Sequence, residues 1–276
     1  MPPSCGASVA TRRQRVEAVT ASKPLLTRLL PRVLLRSLPF VLVIVVWQLL
    51  HLAEVVSPAL LPAPREVFDA GVRLARRGVL YDHMIASTTR VLLGVIIGVT
   101  LAIPVGFALG WFPAVRGFLD PLINFFRALP PIALVPLVVV YVGIGEEGRL
   151  FVLIYASFFP ATVVIYEGIT AIESIFVRAA QVLGANSFEL FGKVVLPFTV
   201  PHILTAFRVA LGVAWATLVA AELVAARTGL GAMIQDASNF FQIPVIFLGI
   251  IVIGAIALLM DAIVRTIVAR MVAWRE

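Results

Sequence analysis

Long uninterrupted runs of apolar residues are the feature that most limits what this chain can form. They cover about 37–53, 86–111, 129–145, 150–170, 202–225 and 244–268. A helix needs roughly 20 apolar residues to cross a bilayer, whereas a membrane β-barrel shows shorter segments of alternating polarity. Hydrophobic residues make up 61% of the chain and charged residues only 13%, an excess that one soluble core cannot hide. We therefore predict an all-α polytopic membrane protein with six transmembrane helices.

The distribution of basic residues predicts how the chain is oriented. Basic residues precede the first apolar run and follow the last one, and such segments stay on the cytoplasmic side of a membrane. Six spans then place both termini in the cytoplasm. Residues 1–36 are interpreted as a basic cytoplasmic tail and surface helix, and 37–276 as the transmembrane domain. Arg73, Arg76 and Arg77 oppose this topology, because the six-span count puts them outside.

Residue types that catalysis or cofactor binding requires are scattered along the chain. The sequence has no GxxxxGK[ST] phosphate-binding loop, so it shows no sign of binding ATP through that fold. His51, His83 and His202 are far apart, which disfavours a metal site, and Cys5 is the single cysteine. The net charge is +7, but the basic residues are not interleaved with aromatic residues as they are on a nucleic-acid-binding surface. We predict a non-catalytic chain that contacts lipid, with no metal, no cofactor of its own and no nucleic-acid partner.

Five charged residues fall inside the apolar runs, where a charge is costly and usually faces the bundle interior or water. They are Arg90, Glu167, Arg208, Glu222 and Asp261. By depth, Arg90 and Glu222 belong near the outer ends of their spans. Glu167, Arg208 and Asp261 belong in the inner half. We expect pairing within each group. A purely structural ion pair and a role at the outer gate are both open for Arg90 and Glu222.

Residues 113–127 are interpreted as a short connection on the cytoplasmic side. The third apolar run, 129–145, follows it, is short and contains Pro130, Pro131 and Pro136. A broken helix is tolerated in a membrane only where the freed backbone groups face protein or water. This run, together with Glu222, is therefore the candidate for lining a transport pathway. A structural kink is the alternative interpretation.

Residues 178–197, which we call the elbow, separate the fourth and fifth apolar runs. They combine charges, small residues and turn formers. A short helix can end at Gly184, which adopts positive φ without strain, and Asn186 or Ser187 can cap a second short helix. Pro197 is expected to break the pattern before the next run. A plain linker and a helix-turn-helix that seats in a groove on another protein both fit this pattern.

The elbow resembles the EAA loop of ABC-importer permeases. Ala179, Ala180, Gly184, Leu196 and Pro197 match that motif, whereas the motif's leading acid is Arg178 here. By this resemblance, the elbow lies in a cytoplasmic coupling loop, 173–199, that docks on an ATP-hydrolysing subunit. The coupling residues implied are Arg178, Ala179, Ala180, Gly184, Ala185, Phe188, Glu189, Leu196 and Pro197.

Further motifs extend the resemblance over about 60–261, to the permeases of nitrate, sulfonate and taurine ABC importers. They lie at 60–68, 87–94, 120–121, 130–137, 143–146, 158–160, 214–222 and 229–231. The resemblance implies that 37–276 form a permease domain with a MetI-like fold of the type I importer class. It implies a homodimer of permease subunits in a bacterial inner membrane. It also implies an ABC ATPase dimer that binds ATP and Mg²⁺, an extracytoplasmic substrate-binding protein, and a small anionic solute such as a sulfonate, taurine or nitrate.

Two other classes of function are weighed against an ATP-driven permease. A secondary transporter without an ATPase partner is often built from internal repeats, and the two halves of this sequence show none. A membrane enzyme should group titratable residues at one depth in catalytic spacing, and a membrane scaffold subunit needs no such group. The charges here are scattered, so the sequence favours the transport subunit.

Overall fold

The computed structural model describes residues 32–271, which contain helices and no strand. The chain divides into two compact units, Met1–Pro64 and Arg65–Glu276. The basic tail expected before residue 32 lies outside the described residues, as do the last five residues of the chain.

The first unit contains one described helix, α1, at Arg32–Leu52. Its apolar part is Leu38–Leu52. The indole Nε1 of Trp47 donates to the carbonyl of Pro62 at 3.0 Å, and Nδ1 of His51 lies 2.8 Å from the carbonyl of Leu61. These two contacts hold the proline-rich segment that follows α1 against the end of the helix.

The remaining described elements are helical and begin at the boundary between the two units. They are α2 Pro64–Arg76, α3 Val79–Trp111, α4 Pro113–Ala128, α5 Pro131–Tyr141, α6 Glu146–Thr170, α7 Ser174–Val182, α8 Ser187–Leu190, a π turn at Phe191–Val195, α9 Leu196–Ala225, α10 Leu230–Asn239 and α11 Ile243–Met271. The most extensive packing joins α3 to α6 and α6 to α9, so these three helices form the centre of the second unit.

Glycine permits the close contact between α3 and α6. A Cβ atom at Gly94, Gly98, Gly106 or Gly110 would lie 2.5–2.8 Å from an atom of α6, which is closer than real Cβ atoms approach. Small residues at four-residue spacing let helix backbones approach closely in lipid. The glycine spacing of this span is therefore used for packing within one chain.

The register of this contact shows that α3 and α6 run in the same direction. The opposing residues are Leu153, Ser157, Ile165 and Ile169, in the same order as the glycines they face. The chain must therefore cross back between the two helices, and the pair α4 and α5 makes this crossing. Ala102 and Ala161, both fully buried, continue the register at the interval that glycine skips.

Helix length and composition identify four clear membrane spans among the described residues. They are Val79–Trp111, Glu146–Thr170, Ser187–Val224 and Ile243–Arg270. The pair α4 and α5, bent by 91° at its break, becomes a fifth span if the two helices are counted together. The apolar part of α1 is a shorter helix. The all-α membrane architecture is confirmed, but length and composition alone do not reach the expected count of six.

Several boundaries differ from the sequence-based expectation. The second span begins at Val79 rather than 86, because polar residues continue the helix beyond its apolar part. The connection expected at 113–127 is the helix α4, with Pro113 in its first turn. Pro197 does not break the chain: it lies in the first turn of α9, where proline is tolerated. The fifth span therefore starts upstream of residue 202.

We predict that Gly98→Ala destabilises the protein by about 1–3 kcal/mol, the usual cost of overpacking a close-packed contact. The new methyl group would meet the Cβ of Ser157 and the carbonyl of Ile154. The measurement is the free energy of unfolding in mixed detergent micelles. Gly254→Ala in α11 is the matched control, because a Cβ there meets nothing within 4 Å. Equal effects of the two substitutions would contradict the packing role of Gly98.

Candidate functional site

One face of α3 carries polar side chains at its Val79 end. His83, Ser87 and Arg90 are spaced by four and three residues, and residues at this spacing lie one above the other on a helix. Ser87 and Arg90 are buried. This face is turned toward α9 and α10, so three polar groups enter an otherwise apolar bundle.

Arg90 uses its whole guanidinium group to join separate elements. Nε and Nη2 each donate to one carboxylate oxygen of Glu146, both at 2.6 Å, in the bidentate geometry that favours strong pairing. Nη1 donates to Oε1 of Glu222 at 2.6 Å and to the carbonyl of Thr228 at 2.6 Å. Arg149 also donates to Glu146, at 2.6 Å. We call Ser87, Arg90, Glu146, Arg149 and Glu222 the buried charge network; Glu146 is its one exposed member, with 63% of its side chain accessible.

Glu222 is the most enclosed member of this network, with a side-chain exposure of 0%. Its carboxylate receives donors from three directions: the hydroxyl of Ser87 at 2.8 Å, Nη1 of Arg90 and the backbone N–H of Gly231 at 2.8 Å. A buried carboxylate is tolerated only when it is paired and hydrogen-bonded in this way. Removing one partner therefore leaves a costly unpaired group.

The N-terminal turn of α10 is held by the same face of α3. The N–H of Gly229 donates to Nδ1 of His83 at 2.9 Å, and the N–H of Leu230 donates to the hydroxyl of Ser87 at 2.8 Å. The first N–H groups of a helix have no partner within the helix, so these side chains and Glu222 supply it. Gly229 has φ +132°, and a Cβ there would collide with the carboxylate of Glu222. Only glycine fits this position.

The structure brings Arg90 and Glu222 together, and it adds residues that the sequence reasoning did not assign to a site. Those residues are His83, Ser87, Glu146, Arg149 and Thr228. The helical spacing of 83, 87 and 90 is the signal that could have found the first two. Nothing in the local sequence could have shown that Glu146 reaches Arg90, because the two residues meet only after α3 and α6 pack.

Of the three charged residues expected in the inner half of the membrane, the structure pairs two and leaves the third apart. The guanidinium of Arg208 binds the carboxylate of Asp261, and Nη2 of Arg265 lies 2.9 Å from Oδ2 of the same carboxylate. These pairs join α9 to α11 and tie one turn of α11 to the next. Glu167 is exposed and takes part in none of the ion pairs found between residues 32 and 271.

The prolines of the third apolar run stand at the break between α4 and α5. Pro130 is the residue that precedes α5, Pro131 is its first residue and Pro136 lies inside it. α5 packs against α6 and α9 through Val135 and Val138, which are buried. The other side of α5 is largely exposed, so the broken segment has one packed face and one open face.

The elbow forms two short helices joined by a tight turn. Gly184 has φ +86° and donates to the carbonyl of Gln181 at 3.0 Å, while the N–H of Ala185 donates to the carbonyl of Ala180 at 3.0 Å. This pair of bonds is the Schellman arrangement that ends a helix at glycine. The turn predicted at Gly184 is confirmed.

The second short helix of the elbow, α8, begins with a capping box. The side chain of Asn186 accepts from the N–H of Glu189 at 2.8 Å, and Oε2 of Glu189 accepts from the N–H of Asn186 at 3.2 Å. The π turn then leads into α9, with the N–H of Leu196 bonded to the carbonyl of Phe191, five residues back. The cap expected at Asn186 or Ser187 is thus formed by Asn186.

The elbow presents apolar side chains to its surroundings. Val182, Leu183 and Phe188 are each at least 85% exposed. Phe191 points inward instead, where its ring meets those of Phe107 and Trp111 edge to face at 5.2 and 5.7 Å. The elbow therefore lies at the Trp111 end of α3, opposite the end that carries the buried charge network.

Comparison with known proteins agrees with this architecture. The family model described as the inner membrane component of binding-protein-dependent transport systems matches residues 94–273. A probable ABC transporter permease protein of Brucella abortus (strain 2308) is 40% identical over 226 residues, which cover 82% of this chain and 90% of the relative. The taurine transport system permease protein TauC of Escherichia coli (strain K12) is 40% identical over 234 residues, which cover 83% and 85%.

A solved structure supports the fold itself. A chain from the inward-facing conformations of the MetNI methionine ABC transporter superposes with a TM-score of 0.51 at 21% identity, covering 71% of this chain and 97% of that chain. At this identity the likeness shows a MetI-like fold alone. The fold and its relatives define an ABC-importer permease, a non-catalytic membrane subunit. This chain belongs to the family of binding-protein-dependent transport system inner membrane components, which work with an ATPase and a substrate-binding protein.

We predict that Glu222→Gln destabilises the protein by about 3–5 kcal/mol, the cost of breaking a buried ion pair from one side. Three donors now share the two oxygens of the carboxylate, whereas the amide of glutamine has only one acceptor oxygen. The measurement is the free energy of unfolding in detergent. Asp261→Asn is the matched control: it also removes a carboxylate that pairs with arginine, but from a partly exposed site, where 28% of the side chain is accessible, and its effect should be much smaller. A smaller effect of Glu222→Gln than of Asp261→Asn would contradict this assignment.

Proposed function

We propose that this permease imports a small sulfonate such as taurine, and that its elbow transmits the movement of a partner ATPase to the spans. The single observation that carries the coupling role is the elbow itself, a rigid turn between two capped helices that exposes apolar side chains. Nitrate is the other anion that fits the resemblance in sequence.

The surface of the elbow suits a docked partner. Val182, Leu183 and Phe188 form an exposed apolar group, and apolar anchors of this kind fill pockets at protein interfaces. Arg178 replaces the acid of the EAA motif, and its guanidinium bonds to the hydroxyl of Ser174 at 2.8 Å. Nε of Arg178 also donates to the carbonyl of Ser174 at 3.3 Å, so the side chain reaches back to the first residue of α7. In this proposal Arg178 supports the short helix rather than supplying an acidic contact.

Docking at the elbow requires a definite membrane orientation. The elbow end of the bundle faces the cytoplasm, where the ATPase dimer binds ATP and Mg²⁺, and both chain termini lie on that side. The buried charge network then faces outward, toward the substrate-binding protein. The working unit contains two copies of this permease, and the coupling loop of each copy, 173–199, contacts one ATPase subunit.

The pathway is placed at the broken segment and its packed neighbours. Pro130 and Pro131 interrupt backbone hydrogen bonding where α4 and α5 meet, and Pro136 interrupts it inside α5. Irregular backbone at membrane depth belongs beside protein or a water-filled cavity. Glu222 contributes from behind this surface. Because its carboxylate is fully buried, it acts by fixing Arg90 and the start of α10 rather than by touching the solute.

The charges inside the bundle indicate which subunit selects the solute, the permease or the substrate-binding protein. Arg90, Arg149 and Arg208 are engaged by carboxylates, so these cations are already neutralised by the chain. Recognition of the anion is therefore assigned mainly to the substrate-binding protein. Taurine is the first candidate, because TauC matches this chain over most of both lengths.

We predict that Gly184→Val lowers taurine uptake roughly tenfold, since a β-branched residue in the left-handed region costs about 1–2 kcal/mol and 1.4 kcal/mol corresponds to a factor of ten. ATP hydrolysis should persist without matching uptake. The measurement is uptake into proteoliposomes that contain the permease, its ATPase and its substrate-binding protein. Gly184→Asn is the matched control, because asparagine tolerates this backbone conformation.

Two outcomes of that assay would count against separate parts of the proposal. Equal coupling in Gly184→Val and in the unsubstituted protein would contradict the role of the elbow. Uptake of nitrate but not of taurine by the unsubstituted complex would contradict the sulfonate assignment and leave the elbow untouched.

We predict that a cysteine at Val182, in a Cys5→Ser background, reacts with a membrane-impermeant maleimide only after the cells are opened. Val182 is 87% exposed, so access in the free permease depends on the side of the membrane. Saturating the membranes with ATPase should then slow the reaction. Labelling of intact cells would place the elbow outside and end the coupling proposal.

A further inference from the structure

The break between α4 and α5 leaves a specific backbone acceptor without its usual helical donor. In an uninterrupted helix, the carbonyl of Phe126 would accept from the N–H of residue 130. That residue is Pro130, which has no N–H. The N–H of Leu129 reaches the same carbonyl at 3.2 Å, in the tighter geometry of a helix end. The strong second partner comes from another helix.

That partner is the hydroxyl of Tyr155 in the middle of α6. It donates to the carbonyl of Phe126 at 2.6 Å, a short distance for an O–H···O bond. At membrane depth, a carbonyl freed by proline has to find a donor in the protein or in a water-filled cavity, and here the donor belongs to the protein. One side chain of α6 therefore supplies what the proline removes from α4.

Neighbouring aromatic rings fix the position of this hydroxyl. The ring of Tyr155 lies 4.7 Å from that of Phe159, and the ring of Phe126 stacks on Phe159 at 5.5 Å. Phe158 meets Phe159 edge to face at 4.9 Å. The donor and the acceptor residue thus both pack against the same ring, so the hydrogen bond is set by rigid groups.

We infer that Tyr155 is a positioning residue for transport: its hydroxyl holds the end of α4 and so sets the 91° bend from which α5 departs. The role in transport rests on the proposed pathway along α5. The hydrogen bond ties the bend to α6, which contributes to the centre of the bundle and continues toward the elbow. A rotation of α6 would carry the bend with it.

The test uses Tyr155→Phe in the complete complex of permease, ATPase and substrate-binding protein. This change keeps the ring and its stacking and removes only the hydroxyl. Tyr166→Phe is the matched control: Tyr166 lies on the same helix, but it offers its ring face to the guanidinium of Arg116, 4.9 Å from the ring centroid. Two quantities are measured, namely hydrogen–deuterium exchange of a peptide covering 126–134 and the kinetics of uptake.

The expected result for Tyr155→Phe is a several-fold faster exchange at 126–134 and a several-fold lower maximal uptake rate. The concentration for half-maximal uptake should not change, because the substrate-binding protein sets it. Tyr166→Phe should leave both measurements unaltered. Unchanged exchange in Tyr155→Phe would overturn the positioning role. Faster exchange with a normal uptake rate would overturn its link to transport and the pathway at α5, while the coupling role of the elbow would stand.

Discussion

The need to satisfy backbone hydrogen bonds without water governs this structure from one end to the other. Helices meet that need internally. At three places where a helix begins or breaks, a specific side chain makes the missing hydrogen bond. Ser87 and Glu222 accept from the N-terminal turn of α10, and Tyr155 donates to the carbonyl at the break before Pro130. At the elbow, Asn186 and its capping box do the same locally.

Close helix packing converts those local solutions into a rigid unit. At its glycines α3 adds no side chain to the contact, so its backbone lies directly against residues of α6. The buried charge network ties both helices to α9 at one end, and Phe191 joins the elbow to α3 at the other. The proposed lever role of the elbow needs this packing, because a displacement at the elbow would then be carried along the packed helices rather than absorbed in loops.

Much of the fold and part of the site could be predicted, because their signals are local. Gly184 and Asn186 predict a turn and a cap through their own conformational preferences, and the glycine spacing of α3 predicts a close contact between helices. The wrong expectations concern residues whose effect depends on position in an element. Pro197 was read as a break, but in the first turn of a helix its missing N–H costs little. Residues 113–127 are expected to be a connection. They form a helix, because Pro113 starts it rather than interrupting it.

The amino-acid sequence is enough to show a helical membrane chain, an interruption at the prolines of its third apolar run, and a turn at Gly184 between two spans. Each of these follows from apolar run lengths and from the conformational limits of glycine and proline. Only the tertiary structure decided that Glu146 joins Arg90 and Glu222, and that the hydroxyl of Tyr155 meets the carbonyl of Phe126. These partners are 56 and 29 residues apart. Their meeting depends on the register of α3, α4 and α6, which packing sets and local sequence does not encode.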